Sequence, residues 1–218
     1  MRIWLAVLIL GLSLIGYAQS TDKPLPRRGA LGVQLAPATA DELKSAGVEK
    51  GIRVVAVIPG LTAAALKVEA GDIVTALNDK PVAATSDIQA VLRTLVEHDS
   101  VELTVFRGGK SVKLSGKLVA RPKQKEDGFN VEYTQVTSLG KRIRVYITYP
   151  KGAGPFPTVF MLPGIGAFSM DGEYATIPYG KVLEPIAKSG YVVVRMDKPG
   201  QGDSEGPAYV DLLFDEEL

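Results

Sequence analysis

The stretch from residue 191 to 206 limits the possible folds of this chain more than any other. Tyr191-Val192-Val193-Val194-Arg195 is a short apolar run that passes directly into Asp197-Lys198-Pro199-Gly200-Gln201-Gly202-Asp203-Ser204-Glu205-Gly206. An apolar run of this kind predicts a strand, and the glycines after it predict tight turns. Upstream, Val182, Leu183, Ile186 and Ala187 share one face of a helix expected from about Tyr179 to Lys188, closed by Ser189-Gly190. Before that helix, Thr158-Val159-Phe160-Met161-Leu162 is another apolar strand. Strand, helix and strand in this order form the right-handed crossover of a parallel sheet.

The 218 residues allow one or two domains. A formal net charge of +1 gives no electrostatic reason to expect nucleic acid or an anionic membrane as partner, so partners have to be argued from sites. The chain has no cysteine, which excludes disulfides, a thiolate nucleophile and thiolate metal ligands. Residues 1–18 differ from the rest. Arg2 precedes an apolar core, Ile3 to Ile15, broken only by Gly11 and Ser13, and Gly16-Tyr17-Ala18 supplies small residues three and one before a cut after Ala18. This pattern predicts a secretory signal peptide. The rival is a membrane anchor, but the apolar stretch falls short of the roughly 20 residues that span a bilayer. Export to the periplasm or the exterior follows, with no membrane attachment after cleavage. Residues 19–28, with Pro24, Pro26 and the pair Arg27-Arg28, are expected to be an extended tether.

Residues 29–121 show short strands and one clear helix. Leu31, Val33 and Leu35 alternate with Gly32 and Gln34, and Ile52 to Ile58 is a valine-rich strand. Ile88, Val91, Leu92, Leu95 and Val96 have helical spacing, with Thr85 or Ser86 as N-cap and Asp87 in the first turn. Val101 to Phe106 and Ser111 to Leu114 are strands joined through Gly108-Gly109, a pair suited to a primed hairpin turn. The run Pro59-Gly60-Leu61-Thr62-Ala63-Ala64-Ala65-Leu66-Lys67-Val68-Glu69-Ala70-Gly71-Asp72-Ile73-Val74, continuing to Pro81-Val82, resembles the PDZ domains of bacterial exported proteases. The matching order extends through Arg107-Gly108-Gly109-Lys110.

The resemblance implies an α+β fold, a partly open β-barrel or sandwich with two helices. It also implies a partner, a peptide or protein C-terminus added as a strand with its carboxylate in a backbone nest. The nest is then Ala30-Leu31-Gly32-Val33, with Gly32 allowing close approach to the carboxylate, and Leu31, Val33, Ile88 and Leu92 line the apolar groove. Some residues of the helix have to face the domain core instead. His98 follows the helix beside Glu97 and Asp99, where a cation complements the helix dipole, and no serine or cysteine motif accompanies it. No metal site and no cofactor are expected, because neither HExxH nor any histidine cluster occurs.

Arg121 to Gly128 is charged and nearly free of apolar residues, and residues 122–128 are expected to link two domains. Beyond them, Val131 and Tyr133 mark one strand, Ile143, Val145, Ile147 and Tyr149 alternate along a second, and a proline-rich turn leads to the strand at Thr158. This order resembles the opening of an α/β-hydrolase, an incomplete parallel-sheet domain over residues 129–218. In that family the loop after the first buried strand gives a backbone amide to the oxyanion hole. Here that loop is Pro163-Gly164-Ile165-Gly166. The resemblance assigns the amide to Ile165, with Gly166 as second choice and Gly164 as the residue that lets the loop bend; Pro163 departs from the commoner histidine.

Gly202-Asp203-Ser204-Glu205-Gly206 satisfies GxSxG, yet Pro207 follows at once and no histidine occurs after His98. Ser204, Asp197 and Asp203 are therefore expected to organise turns. Asp211 to Leu218 is expected to open a helix leading to the true nucleophile strand, with the triad beyond the end of this sequence. The expectation is an exported PDZ-containing serine hydrolase acting on a small acyl or peptide substrate in its complete form, this stretch being inactive alone. The alternative is a non-catalytic peptide-binding protein with a relic hydrolase segment. A PDZ-regulated trypsin-like or C-terminal processing protease is disfavoured, because no such domain flanks the PDZ segment.

Overall fold

The computed structural model describes residues 23–164, 166–171, 179–207 and 211. The signal peptide, the start of the tether, Ile165 and all of the expected C-terminal helix except Asp211 lie outside the described residues.

In chain order the first unit contains β1 (Gly29–Ala30), β2 (Val33–Pro37), α1 (Ala40–Ala46), β3 (Ile52–Val57), α2 (Thr62–Ala65), β4 (Ile73–Leu77), β5 (Lys80–Pro81), α3 (Thr85–Leu92), β6 (Ser100–Arg107), β7 (Lys110–Lys117) and β8 (Val119–Ala120). An antiparallel sheet runs β2-β3-β4-β6-β7, with β5 on β4, and β1 pairs with β8. Gly108 and Gly109 both have positive φ, 55° and 80°, which is the primed two-residue turn expected between β6 and β7. The core cluster is apolar, with Val54, Leu77, Leu103 and Val105 fully buried.

Two helical expectations change. Helix α1 was missed although its N-terminus is written in the sequence: the Thr39 hydroxyl accepts from Glu42 N–H at 3.2 Å and the Glu42 carboxylate accepts from Thr39 N–H at 2.7 Å. Gly47, at φ 65°, ends it. Helix α3 is capped by Ala84, not by Thr85 or Ser86, and the Asp87 carboxylate takes the N–H groups of Ala83 and Ala84. It stops at Leu92, short of Leu95 and Val96. The Thr94 hydroxyl donates to Val91 O, and Val96 bridges to Arg28, so a tertiary pairing overrides the helical periodicity.

The second unit contains β9 (Phe129–Ser138), β10 (Lys141–Pro150), β11 (Thr158–Met161), α4 (Gly180–Lys188) and β12 (Val192–Met196). Its sheet order is β11-β12-β10-β9. Strands β11 and β12 are parallel, as the crossover through α4 requires, while β12-β10 and β10-β9 are antiparallel. The described sheet is thus mixed, with one parallel pair. On α4, Leu183 and Ala187 are buried and Ile186 packs against them, but Val182 points outward. On β10 the expected face of Ile143 and Val145 is buried, yet Arg144, Tyr146 and Thr148 on the opposite face are buried too. It is Tyr146 that enters the apolar cluster with Phe129, Met170 and Val193.

The described part of the tether packs onto the protein, whereas the linker is exposed except at Gln124. Leu25 and Arg27 are buried, Leu25 N–H donates to the Gln135 side chain, and Arg144 donates to Leu25 O. Gln124 is buried as well, its N–H on Tyr133 Oη and its carboxamide between Glu184 and Arg195. Prolines and charges suggested an extended tether and a linker; hydrogen bonds to distant partners hold Leu25, Arg27 and Gln124 within them.

Candidate peptide-binding cleft

Strand β2 is paired by β3 along one edge, and α3 stands across a cleft from the other. The loop entering β2 is held from beneath by α2. The Thr62 hydroxyl donates to Ala30 O at 2.6 Å and accepts from Val119 N–H, Ala63 N–H donates to Leu31 O, and Ile58 N–H donates to Gly32 O. Gly32 is required here on two counts. Its φ is 77°, and a Cβ would fall 2.8 Å from Leu61 Cδ1. The close approach that excludes a side chain is therefore first an approach to Leu61, a packing reason distinct from the expected one of admitting a carboxylate.

The cleft has a volume of about 550 Å³, and Ala30, Leu31, Gly32, Val33, Ile88 and Leu92 all line it. Leu31 and Ile88 are almost wholly buried and belong to the core of the unit, whereas Val33 and Leu92 are half-buried and offer their surface to the cleft. Leu35 and Leu61 extend the apolar lining, and Arg28, Arg93 and Arg121 supply its charges. Leu35 alternates with Val33 and was legible on that ground. The arginines were not, because nothing in their local sequence relates them to the groove.

The second unit reaches the same cleft. Ala167, Phe168 and Ser169, which follow the expected oxyanion loop, and Gly200, Gln201 and Gly202 of the glycine-rich loop also line it. Gly164 and Gly166 are outside the cleft; Gly164 is exposed, and Gly166 has φ 141°, where a Cβ would fall 2.9 Å from the Phe168 ring. Ile165 lies outside the described residues.

The glycine-rich loop is anchored by buried polar groups. The Asp197 carboxylate accepts from Tyr146 Oη at 2.6 Å, from Ser169 Oγ at 2.9 Å and from Met170 N–H at 2.5 Å. Burial raises its pKa to about 6, against the lowering by those three donors. The same burial pushes the Tyr146 hydroxyl well up, helped by the Asp197 charge. Asp203 accepts from Arg27 Nη1 at 2.6 Å, Arg28 N–H at 2.8 Å and Arg144 Nε at 3.2 Å. Arg27 also pairs with Asp171 at 2.9 Å and lies over the Tyr133 ring. Burial alone would lower the Arg27 pKa, but Asp203 and Asp171 outweigh it and the guanidinium is held charged. Ser204 is fully buried with its Oγ accepting from Arg144 N–H, a turn partner with no access to substrate. His98 is exposed at the end of the turn after α3, at φ 69°, its N–H on Leu118 O. Among the described residues no group of three or more His, Asp or Glu side chains converges to hold a metal ion.

An antiparallel sheet with one open edge, a helix across that edge and a glycine-bearing entry loop define a unit of the PDZ type. The PDZ domain family model matches residues 29–118, and this segment is a PDZ domain. Among curated proteins the chain is similar to the periplasmic serine endoprotease DegP of Escherichia coli K12, 26% identical over 144 residues, or 63% of this chain and 30% of that protein. It is 35% identical over 98 residues to the serine protease Do-like HtrA of Lactococcus lactis subsp. cremoris, covering 42% of this chain and 24% of the relative. It is 33% identical over 90 residues to the periplasmic pH-dependent serine endoprotease DegQ of Escherichia coli K12, covering 40% and 20%. The chain therefore spans less than a third of the length of these relatives. Among solved structures, the HtrA3 PDZ domain bound to a phage-derived ligand is similar at 23% identity and TM-score 0.36, over 42% of this chain and 85% of that one. The HtrA-type protease AlgW with decapeptide is similar at 22% identity and TM-score 0.37, over 45% and 31%. Among the described residues no helix is long and apolar enough to cross a membrane.

Proposed function

We propose that residues 29–121 bind the C-terminal end of a peptide or protein, added as a strand to β2 with its last side chains in the cleft against α3. The open edge of β2 facing α3 carries this reading: it leaves main-chain groups beside an apolar lining of Val33, Leu35 and Leu92. The nest is Ala30 to Val33. Export supplies the setting, since the pattern of residues 1–18 and the periplasmic relatives agree in direction. The test is binding of labelled peptides ending in valine, leucine or phenylalanine, each as free acid and as amide. Saturable binding of the acids, weaker binding of the amides and at least a tenfold loss in Leu92→Glu are expected. Equal binding of acids and amides, or none of either, would sink the proposal.

We also propose that residues 129–207 are the opening part of an α/β-hydrolase. The parallel β11-α4-β12 crossover beside an antiparallel β9-β10 pair, followed by a loop of buried turn-formers, supports this. In that reading the amide of Ile165 or Gly166 faces a developing oxyanion, and the nucleophile is a residue other than Ser204. Fluorophosphonate labelling tests it: Ser204 stays unlabelled, and labelling lost in Ser204→Ala would reverse the assignment. The alternative, a binding protein whose second unit only buttresses the PDZ domain, is favoured by the same burial of Ser204 and is chosen if longer forms of the chain also fail to label.

A further inference from the structure

The cleft continues past the edge of the PDZ domain, and two polar features mark its far end. The first is Gln201. It is only 9% exposed, its backbone N–H donates to Lys198 O and its carbonyl accepts from Ser204 N–H. Its carboxamide makes no hydrogen bond with the described residues, although it lines the cleft. A side chain with two donors and an acceptor is thus held at the wall of the cleft with no partner among the described residues.

The second is the sign of the charge. Arg28, Arg93 and Arg121 line the cleft, and no Asp or Glu does. Around this end, Asp203 and Glu205 act on Arg28, and Glu97 takes the N–H of Arg27; the cleft wall itself keeps only cations. The juxtaposition of the two units is built into the chain. Asp203 Oδ1 accepts from Arg28 N–H at 2.8 Å and Ser204 O accepts from the Arg28 side chain at 3.4 Å. The residues just before the Ala30 nest are therefore tied to those just after Gln201.

We propose that Phe168 and Gln201, both outside the PDZ fold, complete the peptide site. The terminal residue of the ligand packs between Leu92 and Phe168, and the Gln201 carboxamide donates to an oxygen of that residue. This rests on the peptide reading above and narrows it. The charged groups of the lining are three arginines with no carboxylate among them, so the partner is a protein or peptide with a free C-terminal carboxylate. Occupancy also ties the PDZ domain to the second unit, since one ligand touches both.

The experiment uses the whole chain and the same labelled peptides as acids and amides. Gln201→Leu is expected to weaken the acids about tenfold. Gln201→Glu weakens them further and is relieved by amidation, because the new carboxylate repels the free acid and accepts from the amide. In the wild-type chain, saturating peptide slows hydrogen exchange at residues 199–204 and 166–169 as well as along β2, a readout that needs no variant. If the wild type binds but both Gln201 variants bind within about twofold of it and exchange slows only within residues 29–118, this proposal falls and the peptide reading stands. If no peptide binds the wild type, the peptide reading itself has failed.

Discussion

The two units of this chain solve the same problem with opposite chemistry. The PDZ domain closes on fourteen buried apolar residues of its strands, helices and connecting loops. The second unit, among its described residues, has a buried apolar cluster of six, and its interior also holds Arg144, Arg195, Asp171, Asp197 and Asp203, with Arg27 inserted from the segment before the PDZ domain. An apolar core tolerates exchange of one hydrophobe for another, because its cohesion is non-directional. A buried charge network does not: each member leaves a partner desolvated and unpaired when it is removed. The charged interior therefore fixes how the units sit, and Asp203 is its centre, with Arg27 and Arg28 on one side and Arg144 on the other.

The largest effect should come from breaking that centre. Asp203→Ala takes the carboxylate away from two buried guanidinium groups, leaving Arg27 on Asp171 and Arg144 on carbonyls alone, and is expected to cost about 3–5 kcal/mol. Hydrogen exchange resolves where the loss falls: β9 to β12 lose protection and β6 and β7 keep theirs. Equal loss in both would mean that the units unfold as one. Leu103→Ala is the converse, a cavity in the PDZ core worth about 2–5 kcal/mol, with protection lost from β4, β6 and β7 first.

The same contrast explains what the sequence disclosed. Strand alternation, the glycine pair at the β6-β7 turn and the Ala-Gly-Asp run made the PDZ domain readable, because each signal is local and its partner is near in sequence. The capping box of α1 was equally local and was overlooked. The second unit was readable only as an order of elements. That Arg27 would be buried depends on Asp203, 176 positions away, and no pattern around either residue announces the pairing. For the site, Val33 and Leu92 followed from the fold type, whereas Phe168 and Gln201 come from a contact between units. The expected reason for Gly32 was a ligand; the observed one is Leu61.

A third effect is set by pH. Asp197 titrates near 6 in the folded chain and near 3.8 when unfolded. Between those values the folded state keeps a proton that the unfolded state has released. Stability from this group is thus full below about 3.8, falls as pH rises and is lost above about 6, an amount on the order of 3 kcal/mol. Urea midpoints from pH 4 to 7 should fall more steeply for the wild type than for Asp197→Asn, which carries no proton to lose. Parallel pH profiles would show that the donors Tyr146, Ser169 and Met170 N–H hold the carboxylate as well as water does.

The smallest effect sharpens the comparison most directly, because it places the same pair of groups at a wetter position. Arg107 forks onto Asp72 with two bonds of 2.7 Å, and also reaches Glu69 at 2.6 Å and Lys67 O at 2.9 Å. Asp72 is buried, but the Arg107 side chain retains contact with water. Arg107→Lys keeps the charge and loses the fork, so a cost of about 1 kcal/mol or less is expected. Raising the salt should shrink the cost further, since exposed charges are screened over about 3 Å at 1 M. The cost of Asp203→Ala should hardly change in the same series, because its partners are shielded from ions. If both variants responded to salt alike, the interior between the two units would have to be wet, and the directional network around Asp203 would lose its claim to fix their arrangement.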